Sequence, residues 1–195
     1  MHDKLATVLA DIDAANSNDP SLHHDADGNA VPGALLYGQR MSTALQRLFG
    51  DDVSDILKIA ARGQHIERWK VARTDYPEGR AGYLTWRRDQ ARTHGERLGG
   101  LMDKAGYNAD DCDRVGVLLR KEGLKRDPEV QMLEDTICMV FLKFYYAGFS
   151  EKHPYDKVAD IVTKTARKLS QDGRDRVLKE FDLPEDLQKA IRAVS

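Results

Sequence analysis

The chain has 195 residues, of which 41% are hydrophobic and 32% charged, with a net charge of −2. That length suits one well-buried core and is short for two; the composition excludes a disordered tail, and the near-zero net charge gives no general attraction to nucleic acid. No apolar run approaches the ~20 residues needed to cross a bilayer, and the acidic start MHDKLATVLADID is unlike a signal peptide, so a soluble cytoplasmic protein with no membrane partner is expected.

The apolar spacing is helical almost throughout. Leu5, Val8, Leu9 and Ile12 recur at i, i+3, i+4 and i+7 and predict a helix ending near Ala15, where Asn16-Ser17-Asn18-Asp19-Pro20 stops it. Residues 17–33 then read as a long polar loop of the kind that forms lids or binding loops, with His23-His24-Asp25 inside it. A second helix spans Ala34 to Phe49 and ends at Gly50. Asp51 or Asp52 is expected to cap a third helix, which runs through Ile59-Ala60-Ala61 as far as Trp69 and places Arg62, His65 and Trp69 on one face.

Residues 73–79 are a turn, because proline disfavours helix at the residue before it. A fourth helix follows from about Arg80 to Lys104, with Tyr83, Arg87, Gln90, His94 and Arg97 on one stripe. A stripe so polar is either a wetted surface or the wall of a polar cavity. Asp127-Pro128 is an N-cap and first-turn pair that opens the most hydrophobic helix, Glu129 to about Ala147. Asp135, one turn before Ile137-Cys138-Met139-Val140-Phe141-Leu142, needs a cation or several donors if it is buried ionised. Helices started by Pro154 and Pro184 complete the chain as hairpins over residues 154–194. The fold class is therefore all-α: a compact multi-helix domain over 1–195. Cys112 and Cys138 have no C-x-x-C spacing, so neither zinc nor redox work is indicated for them.

Charge is distributed unevenly along this frame. Residues 1–60 carry four basic and nine acidic side chains, a net of −5, whereas 61–97 carry nine basic and five acidic ones, a net of +4. The basic stretch also holds both tryptophans and two histidines, His65 and His94. It suits a local site for a small anion better than a track for nucleic acid.

Several segments together carry a resemblance: DAANSNDP, LLYGQRM, ARGQHIERW, GYLTWR, LKRDPEVQMLED and KTARKLSQDGR. On these the chain resembles the domain of unknown function 4202 family, which brings no established activity with it. It is also similar to the HD superfamily of helical metal-dependent phosphohydrolases. That superfamily holds a divalent metal with a His on one helix, a His-Asp pair on the next and an Asp on a later one. The resemblance implies an HD-like core at 34–150, with His65, His94 and Asp135 as ligands of Mn, Fe or Zn. Gly95 stands where the pair's Asp belongs, and helix geometry turns Glu96 about 200° away from His94.

The expected function is hydrolysis of a small phosphorylated or nucleotide-like substrate, the metal polarising a phosphoryl oxygen and activating water. Glu67 or Glu134 would accept the proton. Arg62, Arg68, Arg73, Arg80, Arg87 and Lys121, with Trp69 and Tyr76, would bind the substrate, since arginine grips phosphate bidentately. The alternative is a metal-free helical binding module that holds a nucleotide or other anion by stacking and ion pairs. A third reading makes His65, Asp135 and the arginines a satisfied polar network, with Arg62 or Arg87 paired to Asp135. The apolar C-terminal hairpins leave room for a homodimer.

Overall fold

The computed structural model describes residues 3–194, and its contacts gather into two compact units that divide between Glu122 and Gly123. Both units are helical, and the fold class is all-α. No helix among the described residues is long and apolar enough to cross a membrane.

The first unit runs α1 (Lys4–Asn16), a hairpin of β1 (Leu22–His24) and β2 (Ala30–Pro32), α2 (Gly33–Phe49), α3 (Asp55–Arg62), α4 (Gly79–Lys104) and α5 (Ala109–Arg120). The predicted polar loop is thus a two-stranded antiparallel hairpin with His23 opposite Val31. Asp25 closes its turn, its Oδ1 accepting from the backbone N–H groups of Asp27 and Asn29, which is the local competition for backbone donors that aspartate wins in turns. The core is built from Val8 and Ile12 on α1, Met41 on α2, Leu57 and Ile59 on α3, and Leu98, Met102 and Leu118 on α4 and α5.

Caps place the helix starts. Asn108 accepts from the Asp111 N–H at 2.8 Å to start α5. Ser54, not Asp51 or Asp52, starts α3 by accepting from the Leu57 N–H at 3.1 Å.

The largest departure from sequence expectation lies between α3 and α4. The helix predicted to reach Trp69 stops at Gly63, and His65 sits on a turn. A side chain at Gly63 would run into Leu98, its Cβ only 2.5 Å from Leu98 Cδ2. Glu67 then takes a left-handed conformation at φ 50°, its N–H donated to Oδ1 of the buried Asn16 at 2.9 Å. A chain leaving helical geometry inside a protein frees carbonyls that need donors. Here α4 supplies them. Gln90 Nε2 donates to the carbonyls of Arg68 and Val71 at 3.0 and 2.9 Å, and Trp86 Nε1 donates to Val71 at 3.0 Å. The polar stripe of α4 is therefore partly buried, and its job over Gln90 and His94 is to hold residues 64–71 in place.

Close glycine contact sets the packing of α4 on α5. A Cβ at Gly95 would lie 3.0 Å from Gly116 Cα, and one at Gly99 would lie 3.3 Å from the Cys112 carbonyl oxygen. Small residues at both positions let the two backbones approach.

The second unit comprises α6 (Pro128–Phe144), α7 (Tyr146–Ser150), α8 (Tyr155–Lys168), α9 (Gln171–Glu180) and α10 (Glu185–Arg192). Asp127 caps α6 by accepting from the N–H groups of Glu129 and Val130, with Pro128 in the first turn as expected. Leu133 and Met139 of α6, Val162 of α8, Val177 of α9 and Leu187 and Ile191 of α10 form its interior.

Candidate functional site

The first unit assembles a cationic, aromatic site around the two histidines of the basic stretch. The ring centroids of His65 and His94 lie 6.4 Å apart, and Tyr37 from α2 stacks on His65 at 4.0 Å. Arg68 lies over the Trp86 ring at 4.5 Å, and Arg87 over the Tyr83 ring at 5.8 Å. Arg68, Lys121 and Arg87 all bear electrostatically on His65.

Both imidazoles are held neutral. Burial first, and then the charges of Arg68, His94, Lys121 and Arg87, keep the His65 pKa well below its ordinary value. Burial, reinforced by Arg68, pushes His94 down to about 4 against the opposing influence of its bond to Gln64 and the Glu67 charge. The Nδ1 of His94 is 3.0 Å from the main-chain oxygen of Gln64. A carbonyl only accepts, so Nδ1 carries the proton and Nε2 the lone pair.

A folded pKa below the unfolded value of 6.5 means that the unfolded chain binds more protons between the two. The His94 contribution is therefore fully present above about pH 6.5 and is lost as pH falls towards 4, amounting to on the order of 3 kcal/mol. Urea denaturation of the parent protein between pH 7.5 and 4.5 should show that loss. In His94→Asn, which keeps an N–H for the Gln64 carbonyl but cannot titrate, the slope should be shallower. Equal slopes in the two proteins would refute the assignment.

Burial also lowers the pKa of Arg68, with Arg87 adding to the effect. Neither guanidinium has a carboxylate within ion-pairing distance among the described residues.

Other expected site residues are committed elsewhere. Arg62 pairs bidentately with Asp13, its Nε 2.6 Å from Oδ1, and so ties α3 to α1 rather than facing a ligand or Asp135. Arg73 donates to the carbonyls of Tyr76, Pro77 and Gly79 and closes the turn before α4. Tyr76 donates its hydroxyl to Asp89 at 3.0 Å. Trp69 is half-buried on the turn after Glu67, and Arg80 is exposed at the start of α4. Glu67 is gripped by Lys70 at 2.6 Å and Arg97 at 2.9 Å. Burial pushes its pKa up, but those two cations more than offset this and hold the carboxyl below its usual range, which makes it a poor proton acceptor.

Asp135 belongs to the second unit, and it obtains the several donors its burial requires. Its Oδ1 accepts from the Ser170 N–H and from Gln131 Nε2, each at 2.8 Å, and its Oδ2 accepts from the Ser170 hydroxyl. Glu134 is buried beside it with Lys168 Nζ at 3.5 Å. Among the described residues no group of three or more His, Cys, Asp or Glu side chains could hold a metal ion. The donor set expected for Mn, Fe or Zn therefore reduces to two imidazoles, and the position of the missing pair aspartate, Gly95, is filled by the α5 backbone.

Tyr37, Gln64 and Trp86 are part of this site although the spacing of the sequence did not single them out for it. Tyr37 reaches His65 from a helix 28 positions earlier, a distance that no local pattern can bridge. Trp86 carried a signal, an aromatic residue followed directly by Arg87 and Arg88 on a helix that otherwise reads as polar. No curated protein and no solved structure matches the chain. The family described as Domain of unknown function (DUF4202) matches residues 6–191, nearly the whole sequence, and the chain belongs to that family.

Proposed function

We propose that the first unit is a metal-free binding module for a small phosphorylated or nucleotide-like anion. One observation carries the reading: Arg68 is half-buried on Trp86, within electrostatic range of Arg87, and neither has a carboxylate within ion-pairing distance among the described residues. A partly desolvated cation held near a second, exposed one is costly, and a phosphate received by both guanidinium groups would relieve that cost through charge-assisted bonds. The aromatic faces of Trp86, Tyr83 and Tyr37 suit a ligand with a flat portion. Cys112 and Cys138, which form no disulfide with each other, fit a reducing cytoplasm.

Thermal denaturation with nucleotides and inorganic phosphate, each with and without chelator, tests this. A ligand at a hundred times its Kd should add about 2.7 kcal/mol of stability, read as a rise of a few degrees that chelator does not alter. Arg68→Met should abolish the rise. No stabilisation by any of these anions, or stabilisation that chelator removes, would reject the reading.

A hydrolytic, metal-assisted reading has one observation in its favour. His94, with Nδ1 fixed by a backbone carbonyl, presents an Nε2 lone pair of the kind that ligates metals. With one further imidazole and no carboxylate in the set, the residues do not complete such a site. Metal analysis of protein purified without a histidine tag decides it.

A further inference from the structure

His94 offers an acceptor that no protein group uses. The residue is 3% exposed, its proton is on Nδ1, and no donor among the described residues reaches Nε2. A second buried acceptor, the side-chain Oε1 of Gln64, also lacks a donor, and it belongs to the residue whose backbone His94 holds. Buried polar atoms in folded proteins are nearly always paired, so two orphans on residues joined by a hydrogen bond beside a cationic site mark where something else donates. That donor is not a cation, because Arg68 already bears on His94 and, with Lys121 and Arg87, on the neighbouring His65. A neutral N–H or O–H carried by the anion proposed above meets both demands. The stacked aromatic and guanidinium faces select a flat ring over a bare sugar.

We propose that the ligand is a nucleotide whose base carries an exocyclic amino group, with the phosphate received by Arg68 and Arg87 and the amino group donating to His94 Nε2 and Gln64 Oε1. This rests on the anion-binding reading above and specifies which anion. An amino group brings two hydrogens to two acceptors. A base with a carbonyl at the same position would set oxygen against lone pairs and leave both acceptors unpaired.

The experiment is calorimetric titration of the full chain, in chelator, with AMP, IMP, CMP, UMP and ribose 5-phosphate. At least one amino nucleotide should bind about tenfold or more tightly than its oxo counterpart and than the sugar phosphate. Gln64→Met, which removes the buried acceptor with little change in shape, and His94→Asn should each erase that preference, read within each variant as the ratio of amino-nucleotide to oxo-nucleotide affinity. If amino and oxo nucleotides bind alike and binding still depends on Arg68, the anion site stands and the amino contact is wrong. The amino contact is equally wrong if ribose 5-phosphate binds as tightly as AMP, or if the preference survives both substitutions. If none of the five binds, the anion-binding reading falls and this inference falls with it.

Discussion

Gly95→Asp should destabilise the first unit by about 3 kcal/mol or more and should create no metal site. The substitution restores the His-Asp pair of the HD pattern in sequence, since it follows His94 directly. In three dimensions it puts a Cβ 3.0 Å from Gly116 Cα, where α4 packs on the α5 backbone, and then drives a carboxylate into that contact. Overpacking of this kind costs roughly 1–3 kcal/mol, and an unpaired buried charge costs more. Gly95→Ala separates the two contributions. Alanine gains about 1 kcal/mol of helix propensity over glycine but meets the same Gly116 backbone, so its net loss should be small, about 1 kcal/mol. The measurement is urea denaturation followed by fluorescence of Trp69 and Trp86, both of which lie in the first unit. If Gly95→Asp is as stable as the parent and gains stability on adding Mn or Zn, the helices have room at this crossing and the metal reading revives.

The contrast between Gly95 and His65 shows what the sequence could disclose. Helix starts and stops were legible where a single residue controls them: Gly50 ends α2 at φ 77°, Pro128 follows the Asp127 cap, and α4 begins and ends within a residue of expectation. These signals act within a turn of the chain. The break after Arg62 has a different origin. Residues 61–69 have helical spacing, yet the turn is fixed by Leu98 filling the space beside Gly63, by the Asn16 oxygen that accepts from the Glu67 N–H, and by donors from Gln90 and His94, all distant in sequence. The arginines divide on the same principle. That Arg62 serves Asp13 and Arg68 serves neither acid nor turn depends on contacts 49 residues apart in one case and on their absence in the other, and composition treats the two alike. What the sequence did show was the physical demand at Asp135, a buried acid that must find donors; it could not show that Ser170 would meet it.

Asp135→Ala should cost the second unit roughly 3–5 kcal/mol, the range for removing one partner from a buried charged network. Asp135 is 4% exposed and its carboxylate faces the start of α9. Ser170, the N-cap of α9, gives Asp135 both its N–H and its hydroxyl, and the same hydroxyl oxygen accepts from the Gly173 N–H at 2.9 Å. Negative charge thus sits at the helix end where the unpaired N–H groups and the dipole favour it. Gly173 permits the approach, since a Cβ there would lie 3.1 Å from the Asp135 carboxylate. Alanine at 135 strands the Ser170 N–H, the Ser170 hydroxyl and one hydrogen bond of Gln131 Nε2, which retains its bond to the Lys168 carbonyl at 2.9 Å. Asparagine keeps an acceptor for the Ser170 N–H and loses the charge, so its cost should be about half as large. Amide hydrogen exchange locates the effect: protection across α9 should fall by roughly a hundredfold or more in Asp135→Ala, and by less in Asp135→Asn. A metal ligand would behave otherwise, with exchange in α9 unchanged in metal-free protein and only metal content reduced, and that outcome would remove the helix-docking role assigned to this carboxylate.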